Sequence, residues 1–146
     1  MRAAKVLPIF GLICWTAAWA QLSLKSPESI KVGLSVLSQV VASTGQSIAA
    51  RRYDRLPAEA NELEAGLDEV QKGLGDPQSE LSLRVGLLTA KARVAAGALS
   101  EAYRADRASM LPLAQRQLAE AVRSIIALFP ERLRPAEPSH PPRNSR

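Results

Sequence analysis

The chain has 146 residues and a formal net charge of +5, with one cysteine, one histidine, two methionines and 4% aromatic side chains. A length of that order suits a single domain, and a lone cysteine excludes a disulfide framework within the chain or a cysteine-rich metal centre. So few His, Cys and aromatic groups leave little for haem, flavin or metal chemistry.

The first twenty residues say most about destination. Arg2 and Lys5 make a basic start, Val6 to Trp15 is an apolar run, and Ala18-Trp19-Ala20 has the small-x-small pattern that signal peptidase reads. This is the layout of a secretory signal peptide at residues 1–20, so cleavage after Ala20 and a periplasmic or secreted address are expected. The same residues offer an alternative. No charge occurs from Val6 to Leu24, so an uncleaved helix would anchor the protein in a membrane and present the rest as a sensor or assembly subunit. Thr16, Gln21 and Ser23 dilute that run, and Ile13 is too bulky for the position before a lipidated Cys14.

Cleavage removes Cys14, Trp15, Trp19 and Met1, leaving Met110, His140, Tyr53, Tyr103 and Phe129 as the scarce side chains of the mature chain. Loss of Arg2 and Lys5 lowers the net charge to +3, and four arginines against two glutamates after Phe129 hold +2 of that. The body is then near neutral, and the basic pI does not point to nucleic acid.

Residues 21–129 read as one helical domain. Ser26-Pro27-Glu28 supplies a cap, a proline at the first helical position and an acid in the first turn. Ile30, Leu34, Leu37, Val41, Thr44 and Ile48 then lay one apolar stripe along a first helix. Between Lys31 and Arg51 that helix has no charge, and its polar side is Ser35, Ser38, Gln39, Ser43, Gln46 and Ser47. Either it packs on two sides, or its uncharged face meets a second copy or a partner protein.

After a connection near Arg52 to Leu56, a second stripe runs through Leu56, Ala60, Leu63, Leu67, Val70 and Leu74. Glu59, Glu62, Asp68 and Glu69 avoid it and read as a solvated face. Gly73, Gly75, Asp76 and Pro77 stop this helix, and Asp76-Pro77 can start the next. The third stripe is Leu81, Val85, Leu88, Ala92, Ala95 and Leu99. A connection near Asp106 to Ser109 leads to the fourth, Leu111, Leu118, Val122, Ile125 and Phe129.

Short connections favour antiparallel neighbours, so the expected class is all-α, an antiparallel up-down-up-down four-helix bundle. A weak internal repeat agrees. Leu56-Pro57, Leu63, Leu67 and Val70 map at an offset of 55 onto Leu111-Pro112, Leu118, Val122 and Ile125, and the first helix maps onto the third at an offset of 51. Residues 130–146 hold five prolines and few apolar groups, and read as a disordered Pro/Arg-rich tail.

No catalytic, cofactor or metal-binding residue is assigned. The layout resembles the exported b- and c-type cytochrome bundles in architecture only, because Cys-x-x-Cys-His is absent and no Met or His stands where axial ligands are needed. Glu-x-x-His motifs are absent too, and no histidine lies in the folded body to serve as a base. The expected function is therefore non-enzymatic: a binding or protein-interaction module without a cofactor. Its expected partners are a protein, or a second copy through the uncharged first helix; no nucleic acid is implicated, and a membrane only if the signal segment stays. Room beside Thr44, Ala92 and Ala95 would instead suit a small-ligand carrier.

The one local site hypothesis is at a bundle end. The first and third connections would share it, gathering Arg51, Arg52, Arg55, Arg104 and Arg107 with Tyr53 and Tyr103. Guanidinium groups and the helix N-termini there could hold a small anion or an acidic partner surface. Asp54, Glu101 and Asp106 oppose them.

Overall fold

A computed structural model describes residues 24–136; the expected signal segment at 1–20 and most of the expected tail, with His140, lie outside the described residues. The described residues are all helical and contain no strand. Four helices, α1 (Pro27–Ala49), α2 (Leu56–Gly73), α3 (Glu80–Arg104) and α4 (Leu111–Ala127), are joined by connections of equal length, the first and third of which hold a single 3₁₀ turn.

The helix starts follow from local chemistry. Ser26 caps α1 by accepting a hydrogen bond from the Ser29 N–H, and Ser79 caps α3 by accepting one from Ser82. Each satisfies a donor that has no partner inside its helix. The third helix thus starts three residues beyond the expected Asp76-Pro77. Asp76 instead accepts from the Gln78 N–H at 2.8 Å and, through its carbonyl, from Ser82 Oγ at 2.7 Å. Its side chain shapes the turn rather than the helix.

α1 packs most extensively against α2 and α3 against α4, with thinner contacts from α1 to α4 and from α2 to α3. The start of α1 meets the end of α2, where the Ser26 N–H donates to the Gly73 carbonyl. Three glycines set how closely these two helices lie. A Cβ at Gly33 would stand 2.8 Å from the Gly66 carbonyl oxygen, and one at Gly73 would meet Ile30 and the Ser26 carbonyl at similar distances. α1 also reaches α4, where Gln115 Nε2 donates to the Val41 carbonyl at 3.3 Å. The first helix therefore packs on two sides. Val40 and Ser47 join its buried set, while Val41 and Ile48 are only half-buried.

The packed chain continues past the expected boundary at Phe129. Pro130 ends the helical run, but Glu131–Leu133 form a 3₁₀ turn whose Leu133 is 3% exposed and rests against α1. Arg134 then turns back, donating to the carbonyls of Phe129 at 2.8 Å and Ala127 at 3.2 Å. Those carbonyls lack partners within α4, so the guanidinium closes its C-terminus. Leu133 is one apolar residue among prolines, too local a signal for periodicity to find.

Candidate functional site

The two corners that carry the basic residues have one backbone design. At the first, the Arg52 N–H donates to the Ser47 carbonyl and the Arg51 N–H to Ile48; at the second, Arg107 donates to Ala102 and Asp106 to Tyr103. These are paired six-to-one and five-to-two bonds, the Schellman helix end. Each corner passes through a left-handed residue, Arg51 at φ 56° and Asp106 at φ 53°. A single 3₁₀ turn follows, Tyr53–Arg55 or Ala108–Met110, and then Leu-Pro opens the next helix. The offset of 55 is thus kept in the backbone, and the chain holds two helical hairpins with the same corner.

Arg51, Arg52 and Arg55 project from the first corner, with Tyr53 half-buried against the core. Tyr103, Arg104 and Arg107 sit exposed on the second. Thr44 of α1, Leu56 and Glu59 of α2, Leu99 of α3 and Leu118 of α4 line a common small cavity. Among the described residues, none of the five arginines makes a side-chain hydrogen bond or ion pair. Arg107 instead borders a groove with Glu101, Met110 and Leu113.

That groove belongs to a larger feature of the α3–α4 hairpin. Leu83, Leu87 and Val94 are 59%, 62% and 75% exposed, and Met110 and Leu113, which line the groove towards the end of α3, are about half-exposed. A second hollow of ≈ 470 Å³ runs between α3 and α4, lined by Leu87, Ala90, Lys91 and Val94 on one side and Gln117 and Glu120 on the other. Sequence periodicity found the inward stripe of α3 and missed this outward one. The signal was present: Leu83, Leu87, Ala90, Val94 and Gly97 recur at spacings of four, three, four and three.

By comparison, the outward face of α1 is polar, with Ser35, Gln39 and Gln46 in solvent and Val32 as its one exposed large apolar side chain. Ser47, expected on that polar face, is buried and donates to Glu59 Oε1 at 2.6 Å. Glu59 therefore leaves the solvated acidic face. It is 7% exposed, and its Oε2 has no hydrogen-bond partner in the protein. The cavity it lines is ≈ 10 Å³, so the interior beside Thr44 is filled rather than hollow. Thr89 Oγ1 on α3 is likewise buried without a partner.

The remaining acids do face solvent. Arg93 meets Glu64 through three contacts at 2.9–3.1 Å and Asp68 at 3.9 Å, joining α2 to α3, and the hydrogen bond to Glu64 raises the guanidinium's hold on its proton above the ordinary. Lys72 donates to Glu69 at 2.7 Å, which lowers the Glu69 pKa and raises that of Lys72. Among the described residues, no three His, Cys, Asp or Glu side chains gather as a metal site, and no helix is long and apolar enough to cross a membrane. Compared with known proteins, the chain matches no family model, no curated protein and no solved structure.

Proposed function

We propose that this chain is an exported, non-enzymatic four-helix bundle, folded up-down-up-down, that acts as a binding or protein-interaction module. The observation that carries the reading is the apolar face of the α3–α4 hairpin, where Leu83, Leu87 and Val94 stand in solvent. Clustered large apolar side chains of this kind mark surfaces that another molecule covers. The helix order is supported by the meeting of the C-terminal half of α1, the start of α2, the C-terminal part of α3 and Leu118 of α4 around one cavity. Export is supported by the basic start, apolar run and Ala18-Trp19-Ala20 of the first twenty residues.

Two measurements test it. The mass of the exported form is expected to begin at Gln21, with no tryptophan fluorescence; a chain that keeps Trp15 and Trp19 overturns cleavage and leaves the anchored form. Capture by the mature chain is expected to be lost in the Leu87→Glu/Val94→Glu variant. Equal capture by both proteins overturns the α3–α4 face as the docking surface.

The unpaired arginines of the two corners favour a second reading, in which that end holds a small anion. Arg51, Arg52, Arg104 and Arg107 changed together to Gln are then expected to abolish binding of inorganic phosphate. An unchanged titration removes this reading.

A further inference from the structure

This inference rests on the α3–α4 face being a docking surface and names its occupant. We propose that the occupant is a second copy of this chain, with the two α3 helices antiparallel along their outward stripes.

α3 carries two apolar stripes on opposite sides. Val85, Ala92, Ala95 and Leu99 are buried in the core, while Leu83, Leu87, Ala90, Val94 and Gly97 point out with the four-three spacing of a helix–helix seam. The glycines of α3 add an independent observation. A Cβ at Gly86 or Gly97 would meet nothing within 4 Å. Glycine inside a helix is destabilising relative to alanine, and the fold itself gains no close approach from either. Gly33, Gly66 and Gly73 differ, because there a neighbouring helix fills the space.

The order of large and small residues selects the occupant. An antiparallel copy set with Ala90 against Val94 also sets Leu87 against Gly97 of the second copy. Leu87 then meets Gly97 and Ala90 meets Val94, large against small, while Leu83 lies against Glu101 of the second copy, and the two-fold repeats each contact. A parallel copy would stack Leu87 on Leu87 and leave Gly97 facing Gly97. Charge agrees at the ends, where the same register brings Glu80 opposite Arg104 of the second copy, twice over. Near the axis Lys91 approaches its own copy, with Glu120 across the same hollow as a counter-charge.

Size sets the strength. The 25 residues of α3 span ~38 Å, and a helix is ~10 Å across, so the footprint is about 400 Å² per copy. Met110 and Leu113 extend it. This lies at the low end for specific interfaces, so the dimer forms with rising concentration and is not obligate.

Sedimentation equilibrium of the mature chain is expected to pass from monomer to dimer between about 1 μM and 1 mM, the affinity range of small interfaces. The Leu87→Glu/Val94→Glu variant is expected to stay monomeric with unchanged helix content, since both positions are exposed in the monomer. A Leu87→Cys/Gly97→Cys chain is expected to oxidise to a covalent dimer. Its two thiols sit ~15 Å apart along one helix, beyond the ~7 Å limit of a disulfide, so bridging within a chain is barred. Leu87→Cys alone is expected to remain uncrosslinked; efficient homodimer from it means parallel pairing and overturns the register. A wild-type monomer at ~1 mM overturns the second-copy proposal outright. If capture of another protein still depends on Leu87 and Val94 in that case, the docking surface stands and only its occupant was wrong.

Discussion

Glu59 shows how one residue can break a face that composition draws correctly. Its neighbours Glu62 and Asp68 stay in solvent, but Glu59 lies one turn into α2 where Ser47 of α1 reaches it. A buried carboxylate oxygen bonded to a hydroxyl gains modestly, whereas one stripped of its partner bears its full desolvation cost. Ser47→Ala is therefore expected to lower stability by about 1.5–3 kcal/mol, read by urea unfolding. Adding Glu59→Met should recover most of the loss, because an apolar pair needs no hydrogen bond. If the double variant is weaker than Ser47→Ala, the pair contributes more than desolvation logic allows. Arg51 presents the opposite case, a surface side chain in a left-handed backbone that suits glycine. Left-handed geometry costs an L-residue roughly 1–2 kcal/mol, partly offset by the extra freedom glycine loses on folding. Arg51→Gly is expected to stabilise by about 0.5–1 kcal/mol. Asp106→Gly should gain less, since Asp tolerates this conformation better.

At the scale of elements, glycine has opposite meanings on different helices. Gly33→Ala pushes a methyl into Val70 and the Gly66 carbonyl; backbone cannot yield as a flexible side chain does, and overpacking of this kind costs about 1–3 kcal/mol. Gly97→Ala enters open space and is expected to stabilise the monomer by about 0.5–1 kcal/mol through helix propensity. Thermal melts of the two variants at dilute concentration should move in opposite directions. The same contrast explains what could be read from the chain. Helices and their inward stripes are written in local periodicity: Leu111, Leu118, Val122, Ile125 and Phe129 are all buried as their spacing implies. The places of the corners were legible but their left-handed helix ends were not, because Arg51 and Asp106 occupy positions where glycine would have advertised one. Nor does periodicity report which side of α3 is covered, since Leu81-Val85-Leu88 and Leu83-Leu87-Ala90 have the same pattern. Only the position of α4 separates core from surface. The basic residues were legible as a set on two corners, but not their lack of any side-chain hydrogen bond or ion pair among the described residues.

For the molecule as a whole, the question is where the folded body ends. Proline density after Phe129 favours a stop at that residue, and loss of helix there is real. Packing extends further because α1 leaves an apolar site beside the last turn of α4, and Leu133 fills it to 3% exposure. Pro130 eases the reversal because its ring fixes φ, here at −63°, and it has no N–H to continue the helix. Arg134 then supplies donors to two carbonyls at the end of α4. A chain ending at Phe129 loses both the buried leucine and this closure. Leu→Ala changes in cores cost about 2–5 kcal/mol, and a site at the edge of the bundle belongs near the low end because it collapses more readily. Leu133→Ala is therefore expected to cost about 2–3 kcal/mol, or roughly 10 °C in a domain near 110 residues. Circular dichroism melts of chains ending at Phe129 and at Ala136 test this directly. Equal midpoints would return Pro130–Ala136 to the tail, whereas a lower midpoint for the shorter chain makes Leu133 part of the core that holds α1 against α4.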